Sequence, residues 1–520
     1  MLSSFKNPYF NSHNLYLFGA ISICVGLSLS KPLLGLGQLL ISVAWIVDGN
    51  LKNKIKAFFT NPLAIALIAF FGLTLIGLIN TSDFGYAFKD IKRKLPLFVI
   101  PFVLFSKKFT AKELKLFFII YIGGVLSSSF WSVFVKLGGL GITIHDYRDL
   151  SRFNSHIRFG LEICLAIFGA GYYFFKTPNA KEKIVWLLTI VWLSIFMVFI
   201  SLFTGIAILF VVTVLMILFF SFKLKLKPLK IALFLSPILI LAFGGYKLEK
   251  SYSSFYENNK PLKELEKTAN GRFYFHDSTA TNKENGYYTF RNNCFGEMFW
   301  EWEKKSTLPF HGNDLKGQKL KITLTRFLTS KGVYKDSLSV YNLTPKEINA
   351  IENGVANYKL VNMSSIDKRL FDIIWEFDNY KNGGDINGHS ILMRLEYWKT
   401  GLEIFIDNQI LGVGSGDIQA AFDKQYELNN STLKPQFRLR AHNQYITIAA
   451  TFGVVGIVLF CWFLFYPMVK TKSYQNYLYV AFFLIILVSM LTEDTLDTQI
   501  GITFFAFFNT LFVLNHKILD

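Results

Sequence analysis

The stretch Arg438–Tyr445 concentrates reactive side chains immediately before a long apolar segment. Arg438 and Arg440 carry planar, permanently charged groups that donate bidentately to phosphate. His442 is the side chain type best able to accept a proton near neutral pH, and Asn443 adds an amide. An interfacial helix cap with snorkelling arginines has the same composition, so both interpretations stay open.

A second group of candidates precedes this stretch. Arg394 and Trp398 are four residues apart, on one face of a predicted helix, and the glycines Gly412 and Gly414 follow in a turn. Glycine lets backbone N–H groups approach a phosphate, although a simple turn explains the pair equally well. Nucleotide binding is excluded, because the run lacks the Lys-Ser/Thr of a P-loop and any dinucleotide-type strand context.

Two further clusters flank other apolar runs. Arg152, His156 and Arg158 form a basic group before the sixth run, and Glu493 and Asp494 begin an acidic connector between the last two. Such carboxylates can orient an arginine or accept sugar hydroxyl bonds, or they can belong to a solvated loop. The sequence contains neither a closed metal-ligand spacing nor a Ser-His-Asp arrangement, so it predicts no metal and no cofactor.

The elements that must position these residues are apolar. Of 520 residues, 52% are hydrophobic and 55 are Phe, clustered in runs long enough to cross a membrane. The sequence predicts an all-α polytopic membrane protein with about twelve transmembrane helices. The predicted spans are 14–30, 32–48, 62–79, 93–106, 114–136, 159–175, 183–199, 201–221, 230–245, 444–469, 477–492 and 499–516.

The formal charge of +18 does not indicate nucleic-acid binding. Lysines cluster in short connectors, which is the pattern of cytoplasmic loops and predicts cytoplasmic N- and C-termini. These lysines are Lys52, Lys54, Lys56, Lys107, Lys108, Lys112, Lys115, Lys176, Lys181, Lys183, Lys223, Lys225, Lys227, Lys230, Lys470 and Lys472. Lys89, Lys92, Arg93 and Lys94 break the rule by falling on the outer side. Either the fourth span is misplaced or these charges face an anion.

The predicted domains are a membrane bundle over 1–245, a polar outer domain over 246–443 and three final helices over 444–520. The outer domain reads as mixed but mostly helical. Residues 320–325 alternate as a strand does, whereas 345–355 and 363–375 have helical patterns. Over 391–406 one helical face is apolar, which suits a helix lying on the membrane or the bundle.

The string Arg-x-Arg-Ala-His-Asn-Gln-Tyr, followed by Gly453-Val-Val-Gly456, resembles the signature of the O-antigen ligase and polymerase superfamily. The Arg394/Trp398 helix, the DNQILGVGSG turn and the late large loop match the family's pattern as well. The stretches 154–166, 317–336, 351–357 and 493–508 are similar to O-antigen ligase family proteins of Bacteroidetes-type bacteria.

The resemblance implies a membrane-embedded, GT-C-like glycosyltransferase in the bacterial inner membrane. The large loop, between helices 9 and 10, and the active site would be periplasmic. An O-antigen ligase transfers a glycan from undecaprenyl pyrophosphate to a hydroxyl of the lipid A–core acceptor, without a metal. By this analogy His442 is the general base, Arg394 and Arg440 stabilise the departing pyrophosphate, and the anomeric centre inverts.

One departure from the family pattern concerns a second arginine. Many ligases have a Ser-Arg pair where this chain reads Ser201-Leu202. Arg158 is the first candidate to replace that arginine, Arg152 the second and the cluster 92–94 the third.

The sequence leaves alternative functions open. A polymerase that joins repeat units, or a protein O-oligosaccharyltransferase, would have the same fold and donor chemistry. A transporter is disfavoured, because the spans contain neither the charged residues nor the internal repeat that transporters show.

Overall fold

The computed structural model describes residues 11–139, 141, 147–221, 227–256, 262–381 and 385–519, and it is mostly helical. The helices are α1 Ser12–Leu29, α2 Lys31–Val47, α3 Leu51–Phe59, α4 Pro62–Ile76, α5 Phe84–Lys94, α6 Pro96–Leu104, α7 Ala111–Lys136, α8 His156–Lys176, α9 Ala180–Phe199, α10 Phe203–Ser221, α11 Lys227–Phe255, α12 Phe295–Trp302, α13 Leu320–Lys331, α14 Ser337–Tyr341, α15 Pro345–Glu352, α16 Ser365–Lys381, α17 Ser390–Asp407, α18 Ile418–Leu428, α19 Gln444–Thr471, α20 Tyr477–Ser489, α21 Gln499–Leu514 and α22 His516–Leu519. Strands β1 Lys283–Glu284 and β2 Tyr287–Tyr288 form one antiparallel hairpin.

Seven helices within the described ranges are long and apolar enough to cross a membrane, or eight if the bent pair α2 and α3 counts as one span. Three shorter apolar helices are α4, α20 and α21. The chain is therefore a helical membrane protein, as predicted, and each predicted span overlaps a helix. The count of twelve spans stays a prediction, and Lys223 and Lys225 lie outside the described residues.

The chain forms two compact units, Met1–Phe234 with Ile386–Asp520 and, separately, Leu235–Asp385. The second unit is shorter than the outer domain predicted over 246–443. The difference arises because 386–443 packs within the first unit, where Tyr397 and Phe422 share a core with Ala441 and Ala450. The residues with candidate chemistry thus belong to the helical bundle and not to a separate polar domain.

The fourth predicted span begins in the wrong place. Residues 93 and 94 end α5, which is polar and amphipathic, and the apolar helix α6 begins only at Pro96. Lys94 is 4% exposed and its Nζ lies 2.8 Å from the Asp90 Oδ2 atom. For Lys94 the second explanation of the misfit also holds, because this residue faces the Asp90 carboxylate.

Helix α19 is broken at Gly453, whose φ of 63° is left-handed. The turn that contains Gln409 and Gly414 packs into this break. The N–H of Gly414 donates to the Thr451 carbonyl at 2.9 Å, and the N–H of Val454 donates to the Gln409 carbonyl at 2.7 Å. Backbone groups that the kink releases from the helix are thereby satisfied, as an apolar environment requires.

The second unit has its own core, centred on the helix α13. The strand predicted over 320–325 is wrong: Leu320, Leu324, Phe327 and Leu328 are all fully buried on one helical face. Gly332 ends this helix with a φ of 74°. The local alternation of 320–325 is also compatible with helical spacing, and packing selected the helix.

Candidate functional site

The carboxylate of Glu493 gathers three cationic side chains from distant parts of the chain. Arg394 Nη2 donates to Oε1 at 3.0 Å, and Arg158 Nη1 lies 3.4 Å from Oε2. His442 Nδ1 lies 3.5 Å from the same Oε2 atom. Glu493 is 3% exposed, so these groups neutralise a carboxylate that water hardly reaches.

The entry to α8 determines where Arg158 lies. Ser155 caps the helix by accepting the N–H of Arg158 at 3.4 Å. Glu162, buried one turn further along, accepts from Asn154 at 2.7 Å and from Ser28 of α1 at 2.8 Å. These bonds tie the loop before α8 to the bundle, and so they fix the start of the helix that carries Arg158.

The backbone conformation of His442 is unusual. Its φ of 47° lies in the left-handed region, which non-glycine residues enter at a cost and often at functional sites. The ring packs against Tyr397 with centroids 5.7 Å apart, and the Tyr397 hydroxyl donates to the Phe437 carbonyl at 2.8 Å. With Nδ1 directed at Glu493, the second ring nitrogen Nε2 is the one available to accept a proton.

A second ionic cluster adjoins the first through the same connector. Arg440 Nη1 donates to Asp497 Oδ2 at 2.7 Å, and Lys94 Nζ lies 3.2 Å from Asp497 Oδ1. Lys94 also bridges to Asp90, as described above. A small cavity opens here, and the side-chain amide Nε2 of Gln444 lines it without a hydrogen-bond partner among the described residues.

The charges of this connector follow from its surroundings. Burial acts to raise the pKa of Glu493, but its contacts with His442, Arg158 and Arg394 outweigh burial and lower it. Burial likewise opposes ionisation of Asp497, but Lys94 and Arg440 hold its pKa well below the usual range. For Asp494, burial and the Asp497 charge dominate and raise the pKa. Glu493 and Asp497 are therefore anionic at neutral pH.

Besides the two glycines, six predicted site residues make none of the ion pairs in these clusters. One of them is Asp494, whose Oδ1 accepts from the Thr447 hydroxyl at 2.7 Å. Arg438 donates to the Leu433 carbonyl at 3.1 Å, and His156 Nδ1 lies 3.1 Å from the Ser151 hydroxyl. Arg152 is exposed, and the Trp398 ring is partly buried against the core that includes Tyr397. Asn443 caps α19 and donates to the Leu491 carbonyl at 3.1 Å, which ties the helix start to the connector that carries Glu493.

The glycine turn packs closely against neighbouring backbone segments. The N–H of Gly412 donates to the Asn408 carbonyl at 3.0 Å, and that of Gly414 is taken by Thr451. A Cβ on Gly412 would lie 2.3 Å from the Thr451 carbonyl, and one on Gly414 would lie 2.1 Å from the Asn80 oxygen. The hypothesis that these two N–H groups approach a phosphate is not supported, because both already donate within the protein.

Sequence reasoning did not select Asp497 or Asp90 as site residues, and it ranked Lys94 only within its third candidate cluster. One signal could have found them. Lys94 breaks the charge rule for the outer side, and a lysine retained there calls for a nearby carboxylate. Asp90 lies one helical turn before Lys94, and Asp497 stands in the acidic connector.

Residues 350–461 match the family model of O-antigen ligase. The matched segment contains Arg394, Arg440 and His442, whereas Arg158 and Glu493 lie outside it. No curated protein matches the chain.

Proposed function

Because residues 350–461 match the family model of O-antigen ligase, we propose that the chain is an O-antigen ligase. Its donor is a glycan linked to undecaprenyl pyrophosphate, and its acceptor is a hydroxyl of lipid A–core. The reaction takes place at the periplasmic face of the bacterial inner membrane. One observation carries the proposal: Arg394 and His442, both in the matched segment, meet on the Glu493 carboxylate.

In the proposed reaction His442 is the general base. Its Nε2 atom removes the proton from the acceptor hydroxyl as that oxygen bonds to the anomeric carbon. Glu493 faces Nδ1 and stabilises the imidazolium that forms, as the carboxylate does in a catalytic triad. The bond from the anomeric carbon to the pyrophosphate oxygen breaks on the opposite face, so the configuration inverts.

The arginines stabilise the leaving group. A departing pyrophosphate concentrates negative charge, and preorganised guanidinium groups offset it in a site with little water. Arg394 and Arg158 both form ion pairs with Glu493, and Arg440 forms one with the neighbouring Asp497. In this account Arg158 supplies the cation that the family places after the serine that corresponds to Ser201.

The alternatives of the same superfamily differ in acceptor. A polymerase would use a growing glycan, and a protein O-oligosaccharyltransferase would use a protein hydroxyl. No contact among the described residues distinguishes these functions, because the arginines around Glu493 are assigned to the donor's pyrophosphate and not to the acceptor.

Deleting the gene and separating the envelope lipopolysaccharide on a gel tests the proposal. We expect free lipid A–core, with accumulation of the lipid-linked glycan, and restoration by the wild-type chain. Core that carries a single repeat unit would indicate a polymerase, and an unchanged lipopolysaccharide pattern would contradict both functions.

A further inference from the structure

The outward faces of α5 have no role in the proposed reaction. Lys89 and Lys92 are exposed, and across the described ranges neither has a carboxylate within ion-pair distance. Both belong to the cluster that breaks the charge rule, and unlike Lys94 they are not accounted for by the buried ion pairs. Two lysines kept on this side without an internal partner indicate an external anion.

The outward surface of α5 is divided into an apolar stripe and a cationic stripe. Phe84 and Phe88 are 50% and 55% exposed, with ring centroids 6.5 Å apart, and Leu95 continues the same line at 45% exposure. Lys92 and Lys89 lie on the adjoining face, three residues apart. An apolar stripe beside a basic one is the pattern of a helix that lies in the plane of a membrane interface.

The inward face of α5 holds it rigidly at the end of the bundle where the candidate site lies. Ala87, Asp90 and Lys94 are buried, and Asp83 caps the helix by accepting the Tyr86 N–H at 2.9 Å. The contact of Lys94 with Asp497 ties the helix to the connector that also carries Glu493. The helix therefore presents its outward stripes in a fixed orientation.

We propose that α5 is a binding site for anionic phospholipid. The rings of Phe84 and Phe88 lie among the acyl chains, and Lys89 and Lys92 contact the phosphate headgroup. The adjoining cationic and apolar stripes match a phospholipid, whose anionic headgroup directly borders its acyl chains.

The same lipid would lie close to the candidate site. Arg93, whose side chain is 39% exposed, reaches inward so that Nη1 donates to the Asp497 carbonyl at 3.4 Å. The helix that would hold the headgroup is thus in direct contact with the connector that carries Glu493 and Asp497. This inference does not depend on the proposed function, since it concerns binding and not transfer.

Retention of phosphatidylglycerol by the purified full-length chain, counted by native mass spectrometry, tests the proposal. Removing both charges with Lys89→Gln/Lys92→Gln should lower retention about thirtyfold at low salt, since each surface lysine contributes about 1 kcal/mol. The double change to arginine should retain the lipid. Phe84→Ser/Phe88→Ser should also lower retention, although it leaves the charge intact.

Two controls make the outcome decisive. Lys108→Gln/Lys112→Gln removes equal charge from exposed positions beyond the other end of α6 and should leave retention unchanged. Phosphatidylcholine should bind no better to the wild type than to the lysine variant. Equal phosphatidylglycerol retention by the wild type and Lys89→Gln/Lys92→Gln would overturn the proposal. So would displacement of the lipid by equimolar inorganic pyrophosphate, which would assign the lysines to a free phosphate site.

Discussion

Arg394 and Glu493 stand 99 positions apart in the sequence, yet Nη2 of the arginine donates to Oε1 of the carboxylate at 3.0 Å. The contact joins the first turns of α17 to the connector between α20 and α21. It brings the matched segment 350–461 against a residue outside that segment, and the same carboxylate also faces Arg158 and His442. The proposed site is therefore organised around an acid whose shared contacts with three cations no short motif reveals.

Glu493→Gln should lower glycan transfer roughly a hundredfold, because the neutral amide stabilises neither the imidazolium nor the two arginines. The rate of transfer by purified protein measures this effect. Glu427→Gln is the matched control, since Glu427 is exposed and its only close cation is Arg438 at 3.8 Å among the described residues. Equal loss in both variants would argue against a specific role for Glu493.

The stability of the protein should depend on pH through Glu493. Its pKa is lowered in the folded state, so its stabilising contribution is complete above the ordinary glutamate range and disappears as pH falls through the lowered value. The unfolding temperature measured against pH should therefore fall less steeply on the acid side for Glu493→Gln than for the wild type. Parallel curves would contradict this assignment.

Arg158→Ala should reduce transfer strongly, and Arg158→Lys should do so as well, because lysine cannot present a bidentate fork to pyrophosphate. Arg152→Ala and Arg152→Lys are the controls, since Arg152 is exposed and near Arg158 in sequence. Full activity of both Arg158 variants would show that the second cation comes from elsewhere.

Gly453→Ala should destabilise the fold by more than about 2 kcal/mol, because the added Cβ would be strained at positive φ and lie 2.4 Å from the Ile410 carbonyl. The unfolding temperature in detergent reports the loss. Gly72→Ala is the control, since that glycine is helical with open space around its Cβ. Similar unfolding temperatures for the two variants would refute the packing role of the break.

Transfer should continue in excess chelator, as the proposed reaction relies on arginines rather than a divalent cation. Activity that disappears on chelation and returns with magnesium or manganese would contradict this prediction. A mock-treated sample of the same preparation controls for the chelator itself.

The membrane helices could be predicted because apolar length is a local property of the sequence. Periodicity was less reliable where it was short: residues 320–325 fit both a strand and the helix α13, and burial of Phe327 and Leu328 decides for the helix. The arginines and His442 were identified by residue type. Their arrangement was not, because Glu493 and Asp497 acquire their roles from contacts across the fold.

At the glycine turn, spacing in the sequence could not distinguish ligand binding from packing. From spacing alone, Gly412 and Gly414 fitted either a phosphate-binding loop or a simple turn. In the structure the Gly414 N–H donates to Thr451 at the break in α19, whereas the Gly412 N–H donates to Asn408. A positive φ requirement is shared by both kinds of site, so only the position of the acceptor atoms separates them.

Transfer by the purified chain tests the central claim most directly. The substrates are a glycan linked to undecaprenyl pyrophosphate and lipid A–core, and the product is followed on a gel with wild-type protein and His442→Ala. We predict a glycan-bearing lipid A product with the wild type and loss of at least about a hundredfold in rate with the folded variant. Wild-type membranes serve as the positive control for the substrates. Equal rates for the two purified proteins would contradict the account, and so would the absence of product from the purified wild type when the membranes are active.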